Sequence, residues 1–201
     1  SLVAEVRENP AAFADAGSIV RRSGFGATRV FELFRLHYHT TPADLLVRAR
    51  VAAAKRQLLA TRAGLAEIAS GVGFESLSVF HEHFRRLNGL TPAAYRELRS
   101  DRTFEVALPA GYPLGYLRRA LSRDIHSIAE RLAGDTYTAA VQLSDGPALL
   151  TLQLSAGFIR AGISREVGAE AHALVVGLLG LDEDAAAFSR LAKRLGLARL
   201  V

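Results

Sequence analysis

Shifted by 50 residues, the first half of this sequence falls on itself: Thr28, Glu32, Phe34, Arg35, Thr41, Pro42 and Ala43 meet Ser78, Glu82, Phe84, Arg85, Thr91, Pro92 and Ala93. This repeat constrains the fold more than any other feature, because each copy must form the same supersecondary unit. Each copy reads as a short helix, a turn holding Gly-Phe (Gly24-Phe25 and Gly73-Phe74) and a longer helix. Helix, glycine turn, helix is the plan whose second helix enters the major groove of duplex DNA.

The repeat sits in an all-helical half. Helices are expected near 2–7, 11–21, 27–38, 43–60, 65–70, 77–87 and 92–98. Thr41-Pro42 and Thr91-Pro92 are start signals, with threonine as the cap and proline in the first helical position. The segment 42–60 has helix-forming composition throughout and joins the two copies.

At about 100° per residue, the wheel separates core from exposed face. In the second copy Leu77, Phe80, Phe84 and Leu87 form the core stripe, and Glu82 lies opposite with Ser78, Val79, Arg85 and Arg86. In the first copy Val30, Leu33 and Phe34 face inward. Thr28, Glu32 and Arg35 face outward, with Arg29 and Phe31 at the sides.

Charge supports a polyanionic partner for this half. Residues 1–100 hold 14 Lys and Arg against 9 Asp and Glu, so the net +5 of the chain lies there; residues 101–201 hold 11 of each. Half of the residues are hydrophobic, enough for a core, yet no apolar run approaches the roughly 20 residues of a membrane helix. A cytoplasmic protein without a membrane partner is expected. With no cysteine, disulfides, thiolate zinc sites and cysteine nucleophiles are excluded. The six histidines show no ligand spacing, and His81 and His83 face different sides of one helix, so neither metal nor cofactor is expected. No nucleophile motif is present.

After 97–103 the period changes. Residues 103–108, 137–143 and 148–154 alternate as strands, and Ser144-Asp145-Gly146-Pro147 reads as a hairpin turn between the last two. Residues 125–133 read as a further strand or a helix. Helices are expected at 113–122, 164–180 and 183–195, with residues 179–184 as a helix stop and a new cap. The chain thus divides into an all-α domain with tandem helix-turn-helix motifs, 1–99, and an α+β domain with an antiparallel sheet and helices, 103–201.

"AEIA" (66–69), "GF" (73–74), "F..HF" (80–84) and "G.TP..YR" (89–96) together resemble the second half of an AraC/XylS-family DNA-binding domain, and residues 24–59 resemble its first half. The resemblance implies a monomeric pair of helix-turn-helix units on one face of double-stranded DNA, with transcription regulation as the function and RNA polymerase as a further partner. It places base contacts on Thr28, Phe31, Glu32, Ser78, Val79 and Glu82; Arg29, Arg35, Arg85 and Arg86 suit phosphate. Two departures stand out. His39 replaces Gly89 of the second copy, so a distorted first turn is expected. Glu32 and Glu82 fall where several members carry arginine.

Residues 108–158 carry a looser resemblance, covering about 103–199, to the N-terminal domain of AlkA-type 3-methyladenine DNA glycosylases, through "P..Y....L...L..R.I..IE"-like spacing, a hairpin and "L.LS.G"; Ile128-Ala129-Glu130 departs slightly from it. That implies a TATA-binding-protein-like sheet. It also implies a link to the alkylation-damage response, as in Ada/AlkA-like fusions. The catalytic helix-hairpin-helix domain of those enzymes has no counterpart here. The chain is therefore expected not to be an enzyme itself, and to be a piece of a longer protein. Another reading gives residues 101–201 an effector pocket for a small molecule of unknown identity, which would need an open apolar sheet face.

Each outward glutamate has two readings. Glu82 with Arg86 (i,i+4) and Glu32 with Arg35 (i,i+3) have ion-pair spacings worth only tenths of a kcal/mol; alternatively the carboxylates accept from cytosine amino groups or exclude other bases. Phe31 either touches a thymine methyl or packs on the segment 42–60.

Overall fold

Thr41 and Thr91 start helices in the same way. Each hydroxyl oxygen accepts from the backbone N–H three residues on, Asp44 at 3.1 Å and Ala94 at 3.2 Å, with proline next in line. The computed structural model describes residues 1–98, 101–166 and 168–181. The chain forms two units, Ser1–Ser100 and Asp101–Val201.

The first unit is helical: α1 (Leu2–Glu8), α2 (Ala16–Ser23), α3 (Ala27–Tyr38), α4 (Pro42–Ala60), α5 (Leu65–Gly71), α6 (Leu77–Asn88) and α7 (Pro92–Glu97). The single helix expected over 11–21 is instead a 3-10 turn at Pro10–Ala12 and a fresh start at α2. Asp15 makes that break. Its carboxylate accepts from the Ser18 N–H at 2.7 Å, and Ser18 Oγ accepts from the Asp15 N–H at 3.3 Å, a capping box with serine in the third helical position.

The central helix α4 packs against α1, α2 and α3 on one side of the repeat and α5, α6 and α7 on the other. Val6, Ile19, Val30, Phe34 and Leu46 build one cluster around it. In the second copy an aromatic row runs Phe74–Phe80–Phe84–Tyr95, with ring centroids 5.3, 5.5 and 5.4 Å apart. Geometry of this tilted or edge-on kind favours aromatic pairs by about 0.5–1.5 kcal/mol beyond burial. The expected stripe on α6 needs two corrections. Leu77, the first residue of the helix, is exposed, Leu87 is only half-buried, and the buried series is Phe80, Phe84 and Asn88. The Asn88 amide donates to the Phe84 carbonyl at 2.8 Å, which lets a polar side chain lie inside.

The turn after α3 is not distorted as expected. His39 takes φ 51° and ψ 28°, close to Gly89 with φ 66° and ψ 1° after α6. Among the described residues His39 is the one non-glycine with positive φ. The repeat geometry is therefore kept at a conformational cost. His39→Gly is expected to raise stability by about 0.5–1 kcal/mol, read as a higher midpoint in urea unfolding.

The second unit is a five-stranded antiparallel sheet of order β1-β5-β4-β3-β2, with β1 (Thr103–Ala107), β2 (Glu130–Ala133), β3 (Thr136–Leu143), β4 (Gly146–Ser155) and β5 (Phe158–Ile163). Three successive hairpins join β2 to β5. The turn expected over 144–147 is shorter: only Ser144 and Asp145 lie between the strands, and Gly146, at φ 113°, already pairs with Leu143 as the first residue of β4. Of the segment 125–133 only β2 pairs. The residues before it form a loop in which the Asp124 carboxylate accepts from the His126 N–H, and Ser127 Oγ from those of Ala129 and Glu130. On edge strand β2, Glu130 accepts a hydrogen bond from the Tyr137 hydroxyl, whose pKa is raised by burial and by that carboxylate.

Helices α8 (Leu114–Leu121) and α9 (Gly168–Leu178) cover one face: α8 packs on β2, and α9 on β1 and β5. Val106, Leu152, Ile159 and Ala161 on that face are fully enclosed, so the open apolar face that an effector pocket would need is not found among the described residues. The opposite face carries polar side chains, among them Arg160, which donates twice to Glu105 at 2.9 and 2.6 Å. Helix α9 begins later than the expected 164, and the stop at its end is there, with φ 62° at Gly180. The helix expected at 183–195 lies outside the described residues. Among the described residues no helix is long and apolar enough to cross a membrane.

Candidate nucleic-acid interface

Two helix-turn-helix arrangements stand on either side of α4: α2 with α3, and α5 with α6. Gly24, at φ 73°, ends α2 in the left-handed conformation that favours glycine. Gly73, at φ 97°, does more. A Cβ there would lie 3.0 Å from Arg50 Nε and 3.3 Å from the Ala11 Cα, so the turn needs both the backbone angle and the missing side chain.

Burying Val30 and Phe34 forces Thr28, Arg29, Phe31, Glu32 and Arg35 to the exposed side of α3. Burying Phe80 and Phe84 does the same on α6 for Ser78, Val79, Glu82, Arg85 and Arg86. Within each group the spacings of three and four residues place the side chains on one helical face. Phe31 keeps 39% of its surface exposed. Each face thus exposes arginine beside a carboxylate and uncharged side chains.

Neither glutamate forms the ion pair that its spacing suggests. Glu32 pairs with Arg29, one turn earlier, at 3.5 Å, rather than with Arg35. Arg86 turns instead to His83, its Nη2 lying 3.4 Å from Nδ1 of the ring. Among the described residues Glu82 is in no salt bridge. Burial and then Arg86 hold the His83 pKa below its ordinary value, so the ring is neutral at pH 7 and Nδ1 can accept from the guanidinium. The same ring stacks on Phe74, with centroids 6.1 Å apart.

Two supporting residues carry no obvious mark in the sequence. His83 is one. The other is Arg50, in the middle of α4 and only 8% exposed. Its Nη2 donates to the carbonyls of Phe13 at 2.6 Å and Ala14 at 2.9 Å, and its guanidinium lies 5.7 Å from the centre of the Phe74 ring. One side chain therefore ties the segment before α2 to the turn before α6. A faint signal exists. Leu46, Arg50, Ala53 and Ala54 recur at helical spacing, so Arg50 lies on the buried stripe of α4.

Known proteins resemble the first unit. Residues 19–98 match the family model described as a helix-turn-helix domain. The raffinose operon transcriptional regulatory protein RafR of Pediococcus pentosaceus is 32% identical over 68 residues, which are 34% of this chain and 24% of that protein. The chain thus spans about a quarter of the length of that curated relative. Among solved structures, the DNA-binding domain of AdpA, a global transcriptional factor in complex with a target DNA, is 30% identical with a TM-score of 0.46, covering 48% of this chain and 86% of that one. The C-terminal domain of the two-component response regulator yesN from Fusobacterium nucleatum is 25% identical with a TM-score of 0.44, covering 47% and 94%.

Proposed function

We propose that this chain, whose residues 19–98 match the helix-turn-helix domain model, carries a DNA-binding domain of the AraC type, binds a specific duplex sequence and regulates transcription. The observation that carries this reading is the pair of exposed, arginine-flanked faces on α3 and α6, both braced by the same helix α4. Thr28, Phe31, Glu32, Ser78, Val79 and Glu82 are the base-reading positions. Arg29, Arg35, Arg85 and Arg86 bind phosphate, which supplies most of the affinity. RNA polymerase is the partner such a regulator meets at a promoter, in the cytoplasm.

The test is a selection of duplexes from a random pool, followed by affinity measurements at rising salt. Four phosphate contacts correspond to a log–log slope of about −3.6, hence a roughly hundredfold weaker complex at 200 mM than at 50 mM salt. Equal affinity at both concentrations would sink the proposal.

For the second unit we infer the role of a scaffold related to the AlkA-type N-terminal domain, TATA-binding-protein-like in fold, which places the chain in the alkylation-damage response. The antiparallel sheet with one face covered by helices, following directly on the reader, favours this. In this reading base excision belongs to a longer parent protein. Duplex containing 3-methyladenine is expected to stay intact with this chain and to lose the damaged base with that parent. A parent that leaves the base in place would remove the damage link.

A further inference from the structure

The two exposed faces are not equivalent, and paired positions of the repeat show why. Val79 on α6 stands where α3 has Arg29, so Glu82 lacks the preceding cation that neutralises Glu32. His83 and Arg86, which interact with each other, stand where α3 has Leu33 and Leu36. His81 stands where α3 has Phe31. The result is an exposed carboxylate outside any salt bridge, flanked by Arg85 and Arg86, on α6. On α3 it is a neutralised carboxylate beside Phe31, with Leu36 67% exposed near the helix end.

We propose that the two helices read chemically different half-sites: α6 a half-site with a cytosine whose N4 amino group donates to Glu82, and α3 a half-site whose thymine 5-methyl groups pack on Phe31. The inference rests on the reading of the chain as a two-helix reader of duplex DNA. Its physical basis is complementarity. A carboxylate accepts only, and cytosine is the base that presents an N4 amino donor with no neighbouring acceptor on its own edge of the major groove. An aromatic ring offers apolar surface, and the thymine methyl is the apolar group on that edge. Glu32, with Arg29 at 3.5 Å, presents a nearly neutral pair and reads weakly. Arg85 and Arg86 offset the repulsion between Glu82 and the phosphates on either side of the base pair.

The experiment uses the full chain and the duplex selected above, with affinities from fluorescence anisotropy. Deoxyuridine in place of thymidine in the α3 half-site is expected to weaken binding about fourfold for each packed methyl removed. Phe31→Ala abolishes the deoxyuridine effect and keeps the cytosine preference. Glu82→Gln lowers that preference about tenfold and keeps the deoxyuridine effect. Phe31 and Glu82 are both exposed, and an unchanged circular dichroism spectrum shows that the fold is intact. Half-sites of the same base chemistry, insensitivity to deoxyuridine, or a cytosine preference that survives Glu82→Gln would each overturn the proposal while leaving DNA binding standing. A chain that selects no duplex overturns both.

Discussion

Arg50→Leu is expected to destabilise the N-terminal unit by about 2–4 kcal/mol, a large share of the stability of a domain this size. Leucine fills much of the space but leaves the Phe13 and Ala14 carbonyls without their donor, and each orphaned acceptor costs about 1–3 kcal/mol. The stack over Phe74 disappears as well, worth about 0.5–2 kcal/mol where water is excluded. One effect works the other way. Burial lowers the Arg50 pKa, while Glu75 and Asp15 raise it, so removing the guanidinium relieves a desolvation cost. Without that relief the destabilisation would be larger still. Arg50→Lys should fall between, since an ammonium has donors enough for both carbonyls but is shorter in reach and has no planar group to lie on the Phe74 ring. Urea unfolding followed at the helical circular dichroism signal gives the numbers, and a change under 1 kcal/mol for Arg50→Leu would show that the two carbonyls find other partners. The bracing has a functional side too. Arg50 joins the segment before α2 to the turn before α6, so its removal should loosen the geometry between the two reading helices even where the fold survives.

The same residue shows what the sequence conceals. The helix around it is legible, because residues 42–60 hold no internal glycine or proline and start on Thr41-Pro42. That an arginine inside it is buried follows only from packing against Phe13, Ala14 and Phe74, which lie far from it in the chain. The outward positions of α3 and α6 are legible for a simple reason: Phe34 and Phe84 must be inside, and the period of 3.6 residues places the rest. The partners of Glu32 and Glu82 are not, since helical spacing permits several cations and the choice depends on side-chain direction and on a neighbour such as His83. In the sheet, β3 and β4 announce themselves by alternation, whereas β5 does not. Ile159, Ala161 and Ile163 point inward, but Ala161 and Gly162 have weak strand propensity, and only pairing with both β1 and β4 fixes the strand. His39 marks a different limit. Steric preference argues against the left-handed conformation there, yet the packing of α3 and α4 on one core holds it, at a cost of about 1 kcal/mol.

Arg85→Ala with Arg86→Ala is expected to weaken binding to the selected duplex about a hundredfold and to make the salt slope shallower by about two, one for each phosphate no longer neutralised. Base preference should stay the same, because phosphate contacts position the helix without reading sequence. The repeat supplies the reciprocal experiment. Leu36 occupies on α3 the position that Arg86 has on α6. Leu36→Arg should therefore tighten binding about tenfold and steepen the slope by about one, and with Leu36 exposed it disturbs no core. The pair of changes tests the orientation of both helices at once. If the arginines of α6 meet phosphates and the copies lie alike on the duplex, the slope moves in opposite directions in the two variants. If Leu36→Arg leaves the slope unchanged while the double alanine variant flattens it, the last turn of α3 does not approach the backbone. The first helix-turn-helix would then serve sequence choice through Phe31 rather than affinity. If neither variant moves the slope, the arginine-flanked faces are not the DNA-binding surface, and the basic excess of residues 1–100 must act elsewhere on that unit.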